Sequence, residues 1–137
     1  MSLIQWNDTL SVGIEEIDKQ HIKLIGLINQ LNDAIQSGHD QEALAGVLDE
    51  LVAYTMYHFG TEERLMELYA YTELAPHIER HEQFLIDITT FIERYQERSS
   101  PQLAKDLITF LSDWLSNHIL RTDKELASFL TQHGYED

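Results

Sequence analysis

Cysteine is absent from the 137 residues. A disulfide framework, thiolate zinc sites and ordinary iron–sulfur clusters are therefore excluded, and any metal must be held by nitrogen and oxygen. Basic residues are scarce: nine Lys and Arg stand against 24 Asp and Glu, for a formal net charge of -15. Such a surface repels a phosphate backbone or an anionic leaflet, and the cations are scattered rather than gathered, so nucleic acid is not an expected partner. No apolar run approaches the roughly 18 residues of a membrane-spanning helix, and Leu3-Ile4 is too short for a signal-peptide core. The expectation is a cytoplasmic protein without membrane insertion. Hydrophobic residues make up 43% of the chain, so the charge does not imply disorder. The length suits a single domain over residues 1–137.

Prolines number only two and glycines six, and apolar residues recur at alternating steps of three and four, the mark of amphipathic helices. A first series runs Ile17, His21, Leu24, Ile28, Leu31, Ile35 and stops at Ser37-Gly38. A second follows Asp40, a capping candidate, through Leu44, Leu48, Leu51, Thr55, His58, Glu62, Leu65 and Tyr69. The third, after Thr72 and with Pro76 in its first turn, runs His77, His81, Phe84, Ile88, Phe91, Tyr95. Ser100-Pro101 opens the fourth, which runs Leu103, Leu107, Leu111, Trp114, His118. The fold class predicted is all-α, an up-down-up-down four-helix bundle. Residues 1–16 form an N-terminal arm whose Trp6, Leu10, Val12 and Ile14 are expected over one end of the bundle. Leu126, Phe129 and Leu130 mark a short C-terminal helical segment ending at Gly134.

Five histidines and Glu62 occupy seam positions that the periodicity assigns to the core. One buried imidazole usually means a single hydrogen bond to a carbonyl or hydroxyl. Five buried without partners would each forfeit solvation worth roughly 2–7 kcal/mol. In an antiparallel hairpin, residues equidistant from the turn share a height. His21 and His58 are centred on the Gly38–Asp40 turn, His58/Glu62 and His77/His81 on the Tyr69–Thr72 turn, and His77/His81 and His118 on the Arg98–Ser100 turn. All six therefore belong to one layer, and the i, i+4 pairs His58/Glu62 and His77/His81 each project from one helix face. Asp123 lies five residues beyond His118, about 140° off the seam on an ideal helix. It is either a surface cap for the tail segment or a ligand, and the latter requires the fourth helix to end, kink or bulge between Ile119 and Thr122. Such a nitrogen-rich set suits two ions of iron or manganese better than zinc, calcium or magnesium. Neither the Glu-x-x-His pairs of ferritin-like di-iron proteins nor the His-Glu-x-x-His zinc-protease motif occurs.

Longer motifs join these positions: the Trp6 arm with Ser11-Val12-Gly13-Ile14, Ile17-Asp18-Lys19-Gln20-His21, His58-Phe59-x-x-Glu62-Glu63-x-x-Met66, His77-x-x-x-His81 and Trp114-Leu115-x-x-His118-Ile119-x-x-x-Asp123. In these the sequence resembles the hemerythrin family, notably its bacterial members, along essentially its whole length. The resemblance implies one iron on His77, His81 and His118 and a second on His21 and His58. Glu62, Asp123 and an oxo or hydroxo group would bridge the two, leaving one position open for dioxygen. Diferrous iron then supplies two electrons and the bridging hydroxide a proton, reversibly. The implied function is oxygen transport or storage, not an enzyme activity, by a monomer with an oxygen-consuming enzyme as recipient. Oxygen or redox sensing through a partner, and peroxide or nitric oxide reduction, are the alternatives. The sequence ends with the bundle, which weighs against sensing, and no acid or base stands out beside the ligands, which weighs against catalysis.

A reversible carrier must exclude water and protons. Leu24, Ile25, Met66, Phe84, Leu85, Trp114 and Leu115 lie one turn from ligands, and Leu115 is the expected gate. Tyr54 and Thr55 are candidates for a polar contact. His39 and His133 are expected on the surface, as are the acidic runs Glu15-Glu16, Asp49-Glu50 and Glu62-Glu63 apart from Glu62 itself; Glu63 should point about 100° away from its neighbour.

Overall fold

A computed structural model describes residues 4–98 and 100–136, with the side chains of residues 40–42 and 119 outside the description. Four long helices carry the layout: α1 (Glu15–Gln36), α2 (Asp40–Leu68), α3 (Leu74–Glu97) and α4 (Pro101–Asn117). A π-helical segment, His118–Asp123, joins α4 to a short α5 (Lys124–Gln132), and a single 3₁₀ turn, Asp8–Leu10, precedes α1. Helix α1 packs against α2 and α4, and α3 against the same two. This is the predicted four-helix bundle with its arm and tail segment.

The helix ends follow local chemistry. Ser100 caps α4 by accepting from the Leu103 amide at 3.2 Å, with Pro101 at the first helical position. Gly38, at φ +78°, closes α1, where His39 N donates to Ala34 O at 2.8 Å. Helix α2 begins at Asp40, with His39 rather than Asp40 in the capping position and no side-chain cap bond. The Asp40 side chain itself lies outside the described residues. At the other end of α2 the same left-handed closure falls on Ala70, at φ +53°, with Tyr71 N donating to Met66 O at 2.9 Å. A Cβ there opposes a carbonyl, so Ala70→Gly is expected to stabilise the fold by roughly 0.5–1 kcal/mol. Thermal denaturation checks this; a lower midpoint would show that Ala70 is unstrained.

The core is divided. One apolar cluster, including Leu24, Ile28, Leu51, Phe59, Phe84, Leu107 and Leu115, fills the bundle toward the α1–α2 and α3–α4 turns. A second, with Ile14, Ile17, Leu65, Met66, Tyr71, Leu126 and Leu130, fills the opposite end. The arm does not sit over one end as expected: Ile4, Trp6 and Leu10 pack on the first cluster, whereas Val12 and Ile14 join the second. Its length is tied along α1 by Ile4 N donating to Asn29 Oδ1 at 2.9 Å and Val12 N to Asp18 Oδ1 at 2.9 Å. Between the clusters lies a polar layer.

Candidate metal centre

Each helix contributes to that layer at the boundary between the two clusters. On α1, His21 stands between Ile17 and Leu24, which belong to opposite clusters. The same switch occurs around His58 and Glu62 on α2, around His77 and His81 on α3, and across His118 and Asp123. All seven predicted residues meet here, none more than 3% exposed. Asp123 joins them because the backbone is π-helical over His118–Asp123, which brings residues five apart onto one face. The required break is thus present, and the surface-cap reading of Asp123 fails.

The geometry converges on two carboxylates. Glu62 Oε1 lies 3.0 Å from His81 Nε2, 3.3 Å from both His77 and His118 Nε2, and 3.6 Å from His58 Nε2. Asp123 Oδ2 lies 2.5 Å from His21 Nε2, 2.9 Å from His118 Nε2 and 3.4 Å from His58 Nε2. All five imidazoles turn Nε2 inward. The outward nitrogens of two are held by protein: His58 Nδ1 donates to Gln20 Oε1 at 2.7 Å, and His81 Nδ1 to Glu63 Oε2 at 3.0 Å. Gln20 is oriented in turn by donating Nε2 to Thr61 Oγ1 at 3.0 Å, and that hydroxyl donates to the Tyr57 carbonyl at 3.1 Å. Ring planes are fixed by stacking, Phe59 on His81 at 3.7 Å and Trp114 on His118 at 4.7 Å.

This donor set fits cations. A proton on the outer nitrogen leaves the inner lone pair free for a metal, the tautomer that outer hydrogen bonds enforce at metal sites. Glu62 Oε2 and Asp123 Oδ1 are buried without a hydrogen-bond partner, a costly state that a bound cation removes. The residues form three groups with donor atoms close enough for an ion: His21, His58, His118 and Asp123; Glu62, His81 and His118; Glu62, His77 and Asp123. Electrostatics agree. Burial alone would lower the His118 pKa, yet the charges and hydrogen bonds of Asp123 and Glu62 lift it to about 10. Burial and the Glu62 charge would raise Asp123, yet His118 and His21 hold it at about 2. Burial would likewise raise Glu62, but His58, His118 and His77 hold it well below the usual carboxylate range. For His21 burial dominates and lowers the pKa despite the Asp123 contact.

Some functional side chains escaped the sequence. Glu63, expected on a solvated face, is only half-exposed and bonds His81. Gln20 stands in the sequence only as part of the motif before His21, and Thr61 carries no sequence signal at all for the link to His58. Thr55 is buried as anticipated near His58, and its hydroxyl, like His21 Nδ1, has no partner among the described residues. His39 and His133 are exposed, as expected. Leu115 and Phe84 are buried against the layer, while Leu85 and Trp114 are only half-buried. No described helix is long and apolar enough to cross a membrane.

Residues 12–130 match the family model described as the hemerythrin HHE cation-binding domain. The bacteriohemerythrin of Stenotrophomonas maltophilia (strain R551-3) is 38% identical over 97% of this chain and 85% of its own length. That of Pseudomonas aeruginosa (strain LESB58) is 39% identical over 90% and 78%, and that of Methylococcus capsulatus 28% over 90% and 94%. A wild-type hemerythrin crystal structure superposes with a TM-score of 0.80 at 24% identity, covering 94% of this chain and 98% of that one. The likeness to that structure is one of fold; the matched domain and the whole-length relatives carry more, and by them the chain belongs to the hemerythrin family.

Proposed function

We propose that the protein binds dioxygen reversibly at a pair of non-haem irons, for oxygen transport or storage. The observation that carries this reading is the sealed layer in which five Nε2 atoms and two carboxylates converge with no more than 3% exposure. In this reading His77, His81 and His118 would hold one iron, His21 and His58 would hold the other, and Glu62 and Asp123 would be shared between them. The approach of His77 and His81 to Glu62 Oε1, at 3.3 and 3.0 Å, and of His21 to Asp123 Oδ2, at 2.5 Å, supports that division, while His118 Nε2 lies within 3.3 Å of both carboxylates. When bound, the irons supply two electrons and an open coordination position for dioxygen. The protein supplies the rest: rings held in register by Gln20, Glu63, Phe59 and Trp114, and apolar packing that keeps bulk water from the layer.

Iron per chain, followed by the optical spectrum of the reduced protein through repeated cycles of air and argon, tests the proposal. Two irons and a reversible charge-transfer band are expected. Less than one iron per chain after expression with ample iron refutes the centre, and rapid irreversible bleaching with peroxide release favours an oxidase or a sensor instead. Leu115, 3% exposed and one turn before His118, is assigned the gate. Leu115→Ala is expected to speed autoxidation severalfold; an unchanged rate removes Leu115 from the pocket.

A further inference from the structure

A cleft of about 500 Å³, in the range of small-molecule sites, opens along α3, α4 and the π-helical segment. Phe84, Phe110 and Trp114 give it an aromatic floor, and it touches His118. Two guanidinium groups, those of Arg80 and Arg121, also line it. Four of the other seven cations are engaged, Lys19 with Glu15, Arg64 with Glu16, Arg94 with Asp106 and Lys124 with the Thr9 carbonyl, while Lys23, Arg98 and Lys105 lie outside the cleft. Neither the Arg80 nor the Arg121 guanidinium makes an ion pair or side-chain hydrogen bond among the described residues. Free forks beside an aromatic floor complement a flat ring system that bears negative charge. Asp87 and Glu125 line the cleft too. Asp87 already accepts from Gln83 Nε2 at 3.0 Å, and both carboxylates repel an anion from their own edge, which leaves the arginines as its place.

The cleft also leads inward. Trp114 is half-buried at its wall and stacks on the His118 ring at 4.7 Å and 16°, and His118 Nε2 faces the two carboxylates. Resting on the reading of the centre as a pair of irons, we propose that this cleft docks a planar aromatic anion of the reduced-flavin class, which returns an oxidised centre to its dioxygen-binding state across the Trp114–His118 stack. The step balances. The reduced ring anion gives up two electrons and one proton and leaves as the neutral oxidised ring. Each of two ferric ions takes one electron, and the proton passes to water in the open cleft.

Reduced flavin mononucleotide, titrated without oxygen by calorimetry into the metal-free protein, is expected to fill one site per chain and to bind more tightly than the oxidised form, which carries the same phosphate but a neutral ring. Arg80→Gln combined with Arg121→Gln should weaken it at least tenfold, whereas Arg94→Gln, an exposed cation outside the cleft, should leave it unchanged. Mixed without oxygen, the reduced flavin should reduce the diferric protein at a rate that saturates with flavin concentration, and at least tenfold more slowly in the double variant at low flavin. Absent binding at millimolar flavin, or binding that the double variant retains, overturns the docking site. Binding accompanied by a reduction rate that the double variant leaves unchanged overturns the electron route. Titration of the metal-free protein does not depend on iron, so its failure is distinct from failure of the oxygen-binding reading, which shows in iron content and the air–argon cycle.

Discussion

Glu62→Gln is expected to reduce bound iron from two per chain to one or fewer. Glu62 Oε1 approaches four imidazole nitrogens, at 3.0 to 3.6 Å, and no other side chain in the layer is placed to take over that position. The amide keeps the volume and one acceptor but removes a charge, so two divalent ions would face only Asp123. Loss of a partner outside the ligand shell already costs about 10–100-fold in metal affinity, and loss of a shared ligand should exceed this. Glu63→Gln provides the internal scale, because Glu63 reaches the centre only through His81 Nδ1 and should fall within that outer-partner range. Metal analysis after dialysis, with circular dichroism to verify folding, decides it. A folded Glu62→Gln variant that retains two irons as tightly as the parent would remove Glu62 from the ligand set.

Removing the metal should lower the thermal midpoint by on the order of 15 °C, since ligand at a thousand times its dissociation constant contributes about 4 kcal/mol and a chain of this size loses roughly 3–5 °C per kcal/mol. The dependence on pH has a definite sign. His118 rises from 6.5 to about 10 in the metal-free fold, so its contribution is complete below pH 6.5 and is lost as pH rises through about 10. Asp123 falls from 3.8 to about 2, so its contribution is present above pH 3.8 and is lost as pH falls through about 2. Glu62 acts in the same direction as Asp123. His21, whose pKa burial lowers, acts the other way and costs stability as pH falls below 6.5, so the metal-free protein should be most stable near pH 6.5 and weaken toward pH 10 and toward acid. A metal needs the His118 lone pair, so loading at pH 7 should release its proton, and the stability added by metal should grow toward alkaline pH. Proton release in weak buffer and midpoints of both forms from pH 5 to 10 check this. A parallel pair of midpoint curves, with no proton released, would contradict the charge state assigned to the cluster.

Why the seven residues were readable is physical. Helix periodicity fixes a face and short turns fix a height, which is enough to bring the five histidines and Glu62 into one layer. Asp123 was readable only conditionally, because spacing alone put it off the seam until the π-helical backbone moved it on. Glu63 was not, because one helix gives the direction of its own side chains and not the position of the next. His81 approaches from α3, and a glutamate two methylenes long reaches across to it. Gln20 and Thr61 pair across α1 and α2, forty-one residues apart, through a contact that neither local pattern encodes. The division of the arm between two clusters was hidden for a related reason. A period of three or four shows which residues are apolar but not that a polar layer splits the apolar volume they fill.

The π-helical segment can also be viewed as an insertion. A helix with one residue fewer between His118 and Asp123 would still place both on one face, now at i, i+4, with the bodies on either side in nearly the same phase. The extra residue therefore adds circumference rather than length. It widens the turn at the one point where a histidine and a carboxylate from the same strand of backbone must straddle the centre instead of stacking one above the other. Leu120, within that turn, remains 46% exposed. The surplus is carried on the outer side of the bundle, where an added residue meets solvent and displaces nothing.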